Sequence, residues 1–422
     1  MISSSDRPTG MSTESADHNA RGSAPWGQGP QGPPAERAEK AFTELHGHAP
    51  EGVWSAPGRV NLIGEHTDYN NGYVLPFALP HRTAVAAQRR EDGLLTVASL
   101  GDDGQFQQAE PVRVADLRPG SPRGWAAYPA GVAWVLAAEG VPVTGADLVI
   151  SGTVPTGAGL SSSHALECAT ALALLGLAGI DPDQPGGPGR PRIARWVQRC
   201  ENEFVGAPTG LLDQTASLCC VRGHVLFLDV RSGESEQVPF DAEAAGLEVL
   251  VIDTRAKHAL VESAYGDRRR GCEQAARLLG LPSLRELEPA GLAGALDRLP
   301  EPLRPLVRHV VTENQRVLST VDKLRSGRLD EIGGELTASH ASLRDDYQVS
   351  CLELDVAVEA ALAAGALGAR MVGGGFGGSA IALVRAGQRA EVERAVTAAY
   401  ARHELTAPRL FVAVPSPGAG RD

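Results

Sequence analysis

The stretch GRVNLIGEHTDY, residues 58–69, ends an apolar run with Glu65, His66, Thr67 and Asp68 almost together. Carboxylates and an imidazole this close suit two chemistries. They can ligate a metal, or they can grip several hydroxyls at once, as on a sugar. No second His/Cys cluster supports a metal, and the HTDYNNG that follows also fits a plain capped turn. Two more charged groups stand in apolar company. PTGLLDQTASLCC puts Asp213 at the start of an apolar helical run, where a carboxylate either answers the helix dipole or points into a cleft. Arg59 is the other, and a buried arginine needs a carboxylate or a phosphate beside it.

Two glycine-rich stretches add a different chemistry. In PTGAGLSSSHALE, Gly157 and Gly159 let backbone N–H groups turn inward, and Ser161, Ser162 and Ser163 stand where a helix begins. Unpaired helix N–H groups and hydroxyls suit a polyphosphate, and a serine hydroxyl can ligate Mg²⁺. A single serine there would be an ordinary N-cap; three after GAGL favour phosphate. The stretch lacks the lysine of GxxxxGK[ST]. VGGGFGGS, residues 372–379, formally holds GxGxxG, but too little chain follows for a dinucleotide-binding unit. It reads as a turn between strands, or as a loop packed on a ligand or on the other glycine loop.

These residues need a frame. The chain has 422 residues, 43% hydrophobic and 21% charged, which predicts a globular protein of two or more lobes. A net charge of −12 argues against nucleic acid or anionic lipid as partner. The six cysteines form no CxxC and are too sparse for a disulfide framework, so a reducing cytoplasm is expected. No apolar run reaches a membrane span. Residues 1–35 read as a disordered Ser/Gly/Pro-rich leader, with Met1 and Met11 both open as the start. From Ala35 strands and helices mix without a strict βαβ repeat, which predicts α+β lobes over 36–230 and 231–422. A last strand at 409–414 is free to pack back on the first lobe. DPDQPGGPGRP, 181–191, reads as a surface connector, and the RRR at 268–270 as a solvated helix face.

GRVNLIGEHTDYNNGYVLPFAL resembles the signature of galactokinases; PTGAGLSSS and MVGGGFGGSAIAL resemble the second and third motifs of the wider GHMP kinases. The resemblance spans roughly 36–415 and keeps the family's order. It implies a ribosomal protein S5 domain 2-like N-lobe and a ferredoxin-like C-lobe with the site between them. It implies ATP-dependent phosphorylation of the C1 hydroxyl of α-D-galactose; a monomer is the expected state. On it, Asp213 and Arg59 are catalytic, and Glu65, His66, Asp68, Gly210 and Tyr265 hold the sugar. Pro155, Gly157, Ala158, Gly159, Leu160, Ser161, Ser162 and Ser163 cradle ATP, with Trp125 and Tyr128 near the adenine, while Ser163 and Glu201 bind Mg²⁺. His164-Ala165, Thr209 and Leu211-Leu212 depart from the usual Ala-Ser, Cys and Ile-Met, which touches fine specificity. An N-acetylgalactosamine kinase and a non-catalytic galactose/ATP sensor remain the alternatives.

Overall fold

Side-chain alternation sets the layers. In the strand Pro76–Arg89, Val85 and Ala87 face one side of the sheet, and Ala84 and Ala86 face the other. Both sides are therefore covered. The computed structural model describes residues 32–101, 103–256 and 261–422. Most of the expected leader, residues 1–31, lies outside them. Residues 34 and 35 belong to the helix Pro34–His46, for which a proline in the first turn is well suited.

Among the described residues the N-terminal sheet has seven strands. Its centre is Gly52–Asn61, Pro76–Arg89, Ala146–Gly152 and Leu94–Leu100, antiparallel except for the parallel last pair. The helix Pro34–His46 covers one face with Ala38, Ala41 and Phe42. Helices Ala127–Ala138, Ser162–Leu177 and Arg190–Arg199 cover the other. The C-terminal sheet is antiparallel, in the order Gly368–Val372, Ser379–Arg385, Leu247–Asp253, Arg409–Ala413. Its Leu250 and Ile252 pack on helices that include Val261–Leu279 and Leu352–Ala363; Val249 and Val251 turn to a core shared with Val60, Leu62 and Leu160. That shared core fixes the two sheets against each other and opens the cleft at its edge.

The strand at 409–413 is hydrogen-bonded to Leu247–Asp253, within the C-terminal sheet. The chain returns to the first sheet at Ser416, which bridges Ala78, and at Gly420–Arg421, beside Gly52–Asn61. Pro415 and Pro417 end the first run and let the chain cross. Gly52–Asn61 is one ten-residue strand with an irregularity at Gly58. The connector at 181–190 is irregular, and Arg190 ties it to Asp183. All six cysteines are free. Among the described residues no helix is long and apolar enough to cross a membrane.

Candidate active site

Gly58 is where the strand is diverted. A Cβ there would lie 2.6 Å from the Leu160 carbonyl oxygen and 2.7 Å from Val154 Cγ1, so only glycine lets the strand press against the serine loop. The Arg59 N–H then donates to the Leu160 carbonyl at 3.1 Å. Its guanidinium makes a two-pronged pair with Asp213: Nε to Oδ1 at 2.8 Å and Nη2 to Oδ2 at 2.9 Å. Nη1 donates to the Gly159 carbonyl at 2.7 Å. Asp213 sits in the first turn of Leu212–Cys219. Ser161 precedes its helix in a left-handed conformation and makes no capping bond; its hydroxyl donates to Asp213 Oδ2 at 2.9 Å. Burial alone would raise the Asp213 pKa, but Arg59, His164 and Ser161 together hold it below the usual carboxylate value.

The pair opens on a cavity of ≈ 140 Å³, walled by Glu65, His66, Asp68, Thr209, Gly210, Leu212, Tyr265, Gly373 and Gly374 as well as Arg59 and Asp213. All seven residues expected for catalysis and sugar binding are in this wall. Glu65 accepts the Gly373 N–H at 2.7 Å, with Arg370 Nη2 at 3.6 Å. Burial raises the Glu65 pKa, and Arg370 and Arg59 oppose the rise. Arg370 is wholly buried and holds the carbonyls of Asn61 and Leu62 at 3.0 and 3.2 Å, which joins the two sheets behind the cavity. The His66 Nδ1 meets the Tyr69 hydroxyl at 2.7 Å, and Tyr69 meets Tyr347 at 2.8 Å. Burial, then His309, lowers the His66 pKa to about 3, so the ring is neutral. Asp68 goes the other way. Burial, then Asp213, pushes it up to about 6. Its carboxylate occupies the space where a side chain on residue 210 would be; a Cβ on Gly210 would overlap Asp68 Oδ2.

The two glycine loops lie back to back. A Cβ on Gly373 would come 3.0 Å from the Gly159 carbonyl oxygen, and the Ser379 hydroxyl donates to the Ala158 carbonyl at 2.7 Å. Gly157 and Gly159 both have positive φ. Ala158 and Leu160 bury their side chains in the shared core, Pro155 is buried too, and so the first two offer a ligand only their backbone. Ser162 and Ser163 are half-buried. Ser163 Oγ lies 3.2 Å from His164 Nδ1, and Glu201 Oε2 lies 2.9 Å from His164 Nε2. The imidazole thus stands between the two expected Mg²⁺ ligands. Glu201 sits in a π-helical turn, Cys200–Val205, a device often found at functional sites. Burial raises its pKa, but His164 holds it below the usual value. For His164, burial lowers the pKa, and Glu201 and Asp213 more than offset this. Trp125 and Tyr128 are not in the cavity wall: Trp125 packs on the N-terminal core, and the Tyr128 carbonyl faces Cys200 Sγ at 3.5 Å. Among the described residues, the acidic group compact enough for a metal is not Glu65–His66–Asp68 but His164–Glu167–Glu201.

Three family models match. Residues 40–89 match the galactokinase galactose-binding signature, 127–220 the GHMP kinases N terminal domain, and 320–402 the GHMP kinases C terminal domain. The chain is 55% identical over 389 residues to the galactokinase of Streptomyces coelicolor, covering 90% of this chain and 96% of that protein. The chain belongs to the galactokinases. The galactokinase of Mycobacterium tuberculosis is 44% identical over 353 residues, covering 82% of this chain and 94% of that protein. The Lactococcus lactis galactokinase solved with galactose superimposes with a TM-score of 0.84 at 32% identity, over 91% of this chain and 99% of that one. A mevalonate kinase structure at 15% identity and a TM-score of 0.58 shares the fold. Sequence reasoning about this galactokinase read residues 372–379 as a loop against a ligand or the other glycine loop, and Gly373 and Gly374 stand in the cavity wall. It missed the supports behind the wall: Arg370, Tyr69, His309 and Tyr347. His164 was visible only as a departure from the family pattern.

Proposed function

We propose that the cleft transfers the terminal phosphoryl group of ATP to the C1 hydroxyl of α-D-galactose, giving galactose 1-phosphate and ADP, the entry step of galactose catabolism. One observation carries this reading: the Arg59–Asp213 pair opens on a small cavity whose wall is crowded with groups able to pair hydroxyls. Phosphoryl transfer passes through a loose transition state, so positioning and charge neutralisation supply most of the rate. Asp213 accepts the hydroxyl's hydrogen bond and aims its oxygen. Held ionised by Arg59, Ser161 and His164, it is a weak base, so it takes the proton late. Arg59 holds Asp213 and presents Nη1 toward the serine loop. Neutral His66 and the carboxylates of Glu65 and Asp68 pair the sugar's other hydroxyls. A site that pairs the axial C4 hydroxyl rejects glucose, since an unpaired buried polar group costs about 1–3 kcal/mol.

The serine-loop helix cradles the phosphates, with Trp125 and Tyr128 toward the base. Mg²⁺ fits the hard oxygen donors Ser163 and Glu201, the latter with a buried oxygen that lacks an aligned hydrogen bond. It would offset phosphate charge. Residues 36–230 and 231–422 act as the two lobes, and the enzyme works as a cytoplasmic monomer. Arg59 and Asp213 are both present and paired, so nothing favours a non-catalytic sensor. The test is coupled ADP release with galactose, N-acetylgalactosamine, glucose and mevalonate. Turnover with galactose well above the rest is expected; equal kcat/KM for glucose would remove the assigned roles of Glu65, Asp68 and Tyr265.

A further inference from the structure

Three polar side chains meet behind the Arg59–Asp213 pair, outside the cavity wall. His164 and Glu167 come from the first two turns of the helix Ser162–Leu177, and Glu201 from the π-helical turn. Their ligand atoms lie within 4.8 Å of one another. Relative exposures are 5%, 0% and 2%, so all three are nine-tenths buried or more. His164 Nε2, Glu167 Oε2 and Glu201 Oε2 each lack an aligned hydrogen bond, even though Nε2 and the Glu201 oxygen are 2.9 Å apart. The other oxygen of Glu167 accepts from the Cys200 thiol at 3.1 Å. Among the described residues no lysine or arginine pairs with either glutamate. Without a metal these groups hold protons between them: His164 answers Glu201, and burial beside Glu201 keeps Glu167 a neutral acid. A divalent ion would displace those protons and take up the ring nitrogen.

We infer that His164 Nε2, Glu167 and Glu201 form a mixed nitrogen–oxygen site for a late first-row divalent cation of the Co²⁺ or Zn²⁺ class. This site differs from the Mg²⁺ seat proposed on Ser163 and Glu201. Imidazole suits the late metals, whereas Mg²⁺ prefers oxygen ligands and keeps several waters. The two seats share Glu201 and exclude each other, so an ion here withdraws a ligand from Mg²⁺ and inhibits the kinase. The site is one side chain from the cavity, because His164 Nδ1 faces Ser161 Oγ at 2.9 Å and Asp213 Oδ2 at 3.3 Å.

The test is Co²⁺ titration of the metal-free full chain without nucleotide, read by visible d–d absorption. One equivalent should give the intense bands of a low-coordinate site, displaced by Zn²⁺ but not by equimolar Mg²⁺. H164Q and E167Q should each weaken Co²⁺ binding by more than about tenfold, the lower end of what even an outer-shell change costs a metal site. Both variants are checked for wild-type circular dichroism; should one misfold, the other decides. S163A should leave the Co²⁺ bands unchanged, which separates this site from the Mg²⁺ seat. C200S should also leave them unchanged, since no thiolate is in the ligand set. Absence of the bands, wild-type affinity in a folded H164Q or E167Q, displacement by equimolar Mg²⁺, or loss of the bands in S163A or C200S would overturn the assignment.

Discussion

Asp68 and Asp213 line one cavity, yet their surroundings drive them apart. Both are buried enough that desolvation is the first influence on each, and it raises both. Asp213 has Arg59 on two oxygens, Ser161 and His164 besides, and ends below its ordinary value. Among the described residues Asp68 has no such side-chain pair; the Tyr69 N–H and Arg59 do not offset burial and the like charge of Asp213, so it ends at about 6. The difference assigns tasks. The phosphate side keeps a fixed, compensated charge where charge moves in the reaction. The sugar side keeps under-compensated groups whose missing partners a sugar supplies.

The largest expected break in this comparison lies on the phosphate side. Asp213→Asn keeps the shape and removes the charge, and should lower kcat by roughly 10²–10⁴-fold, the usual worth of a proton-handling group, with the galactose KM changing little. Steady-state kinetics in both substrates read this split. Near-wild-type turnover would leave Asp213 without a role as base.

Next is a purely steric break on the sugar side. Gly210→Ala drives a methyl into Asp68 Oδ2. The carboxylate must move by about an ångström, which can cost on the order of 100-fold. That loss should fall on the galactose KM and leave the ATP KM alone. Equal losses for both substrates would mean that the wall at Gly210 serves the fold and not the sugar.

A third, smaller effect comes from pH. The Asp68 carboxylate, with a pKa of about 6, is about nine-tenths protonated at pH 5, whereas Asp213 stays ionised. Charge-assisted hydrogen bonds to hydroxyls weaken when the acceptor is neutral. Between pH 8 and pH 5 the galactose KM should rise by up to about tenfold while kcat at saturating sugar holds. A pH-independent KM would show that Asp68 does not grip the sugar as a carboxylate.

Much of this site could be read from the chain, because its reacting groups are odd for their neighbourhoods. Arg59 stands among apolar residues, and Glu65, His66 and Asp68 stand together, so residue types alone raised the question of a ligand. Ser161 was legible as a helix start but not as a partner of Asp213, since that depends on a left-handed backbone that the sequence does not announce. Arg370 and His164 act across the fold, one joining two sheets and one joining a helix to a π-helical turn; nothing local marks the first, and the second stands out only as a departure from the family pattern. The strand Glu234–Pro239 went unread because ESEQVP is polar and mostly exposed, with only Val238 facing the core.

The smallest effect sharpens the comparison most directly, because it turns the loss of a binding group into a gain of stability. In the folded chain the Asp68 pKa is raised to about 6 from an ordinary 3.8. Below pH 4 both states are protonated and nothing is lost. Between about pH 4 and 6 the folded state holds the proton and the unfolded state does not, so stability falls as pH rises, and above 6 the cost is constant. Asp68→Asn removes a group that must ionise beside Asp213. Its advantage over the wild type should be near zero at pH 4 and reach roughly 1–2 kcal/mol at pH 8, discounted from about 1.4 kcal/mol per pKa unit because Asp68 keeps some contact with solvent. Denaturant unfolding at the two pH values measures it. A variant no more stable than the wild type at pH 8 would mean that Asp68 is solvated enough to ionise freely, and the contrast between the two aspartates would then rest on Arg59 alone.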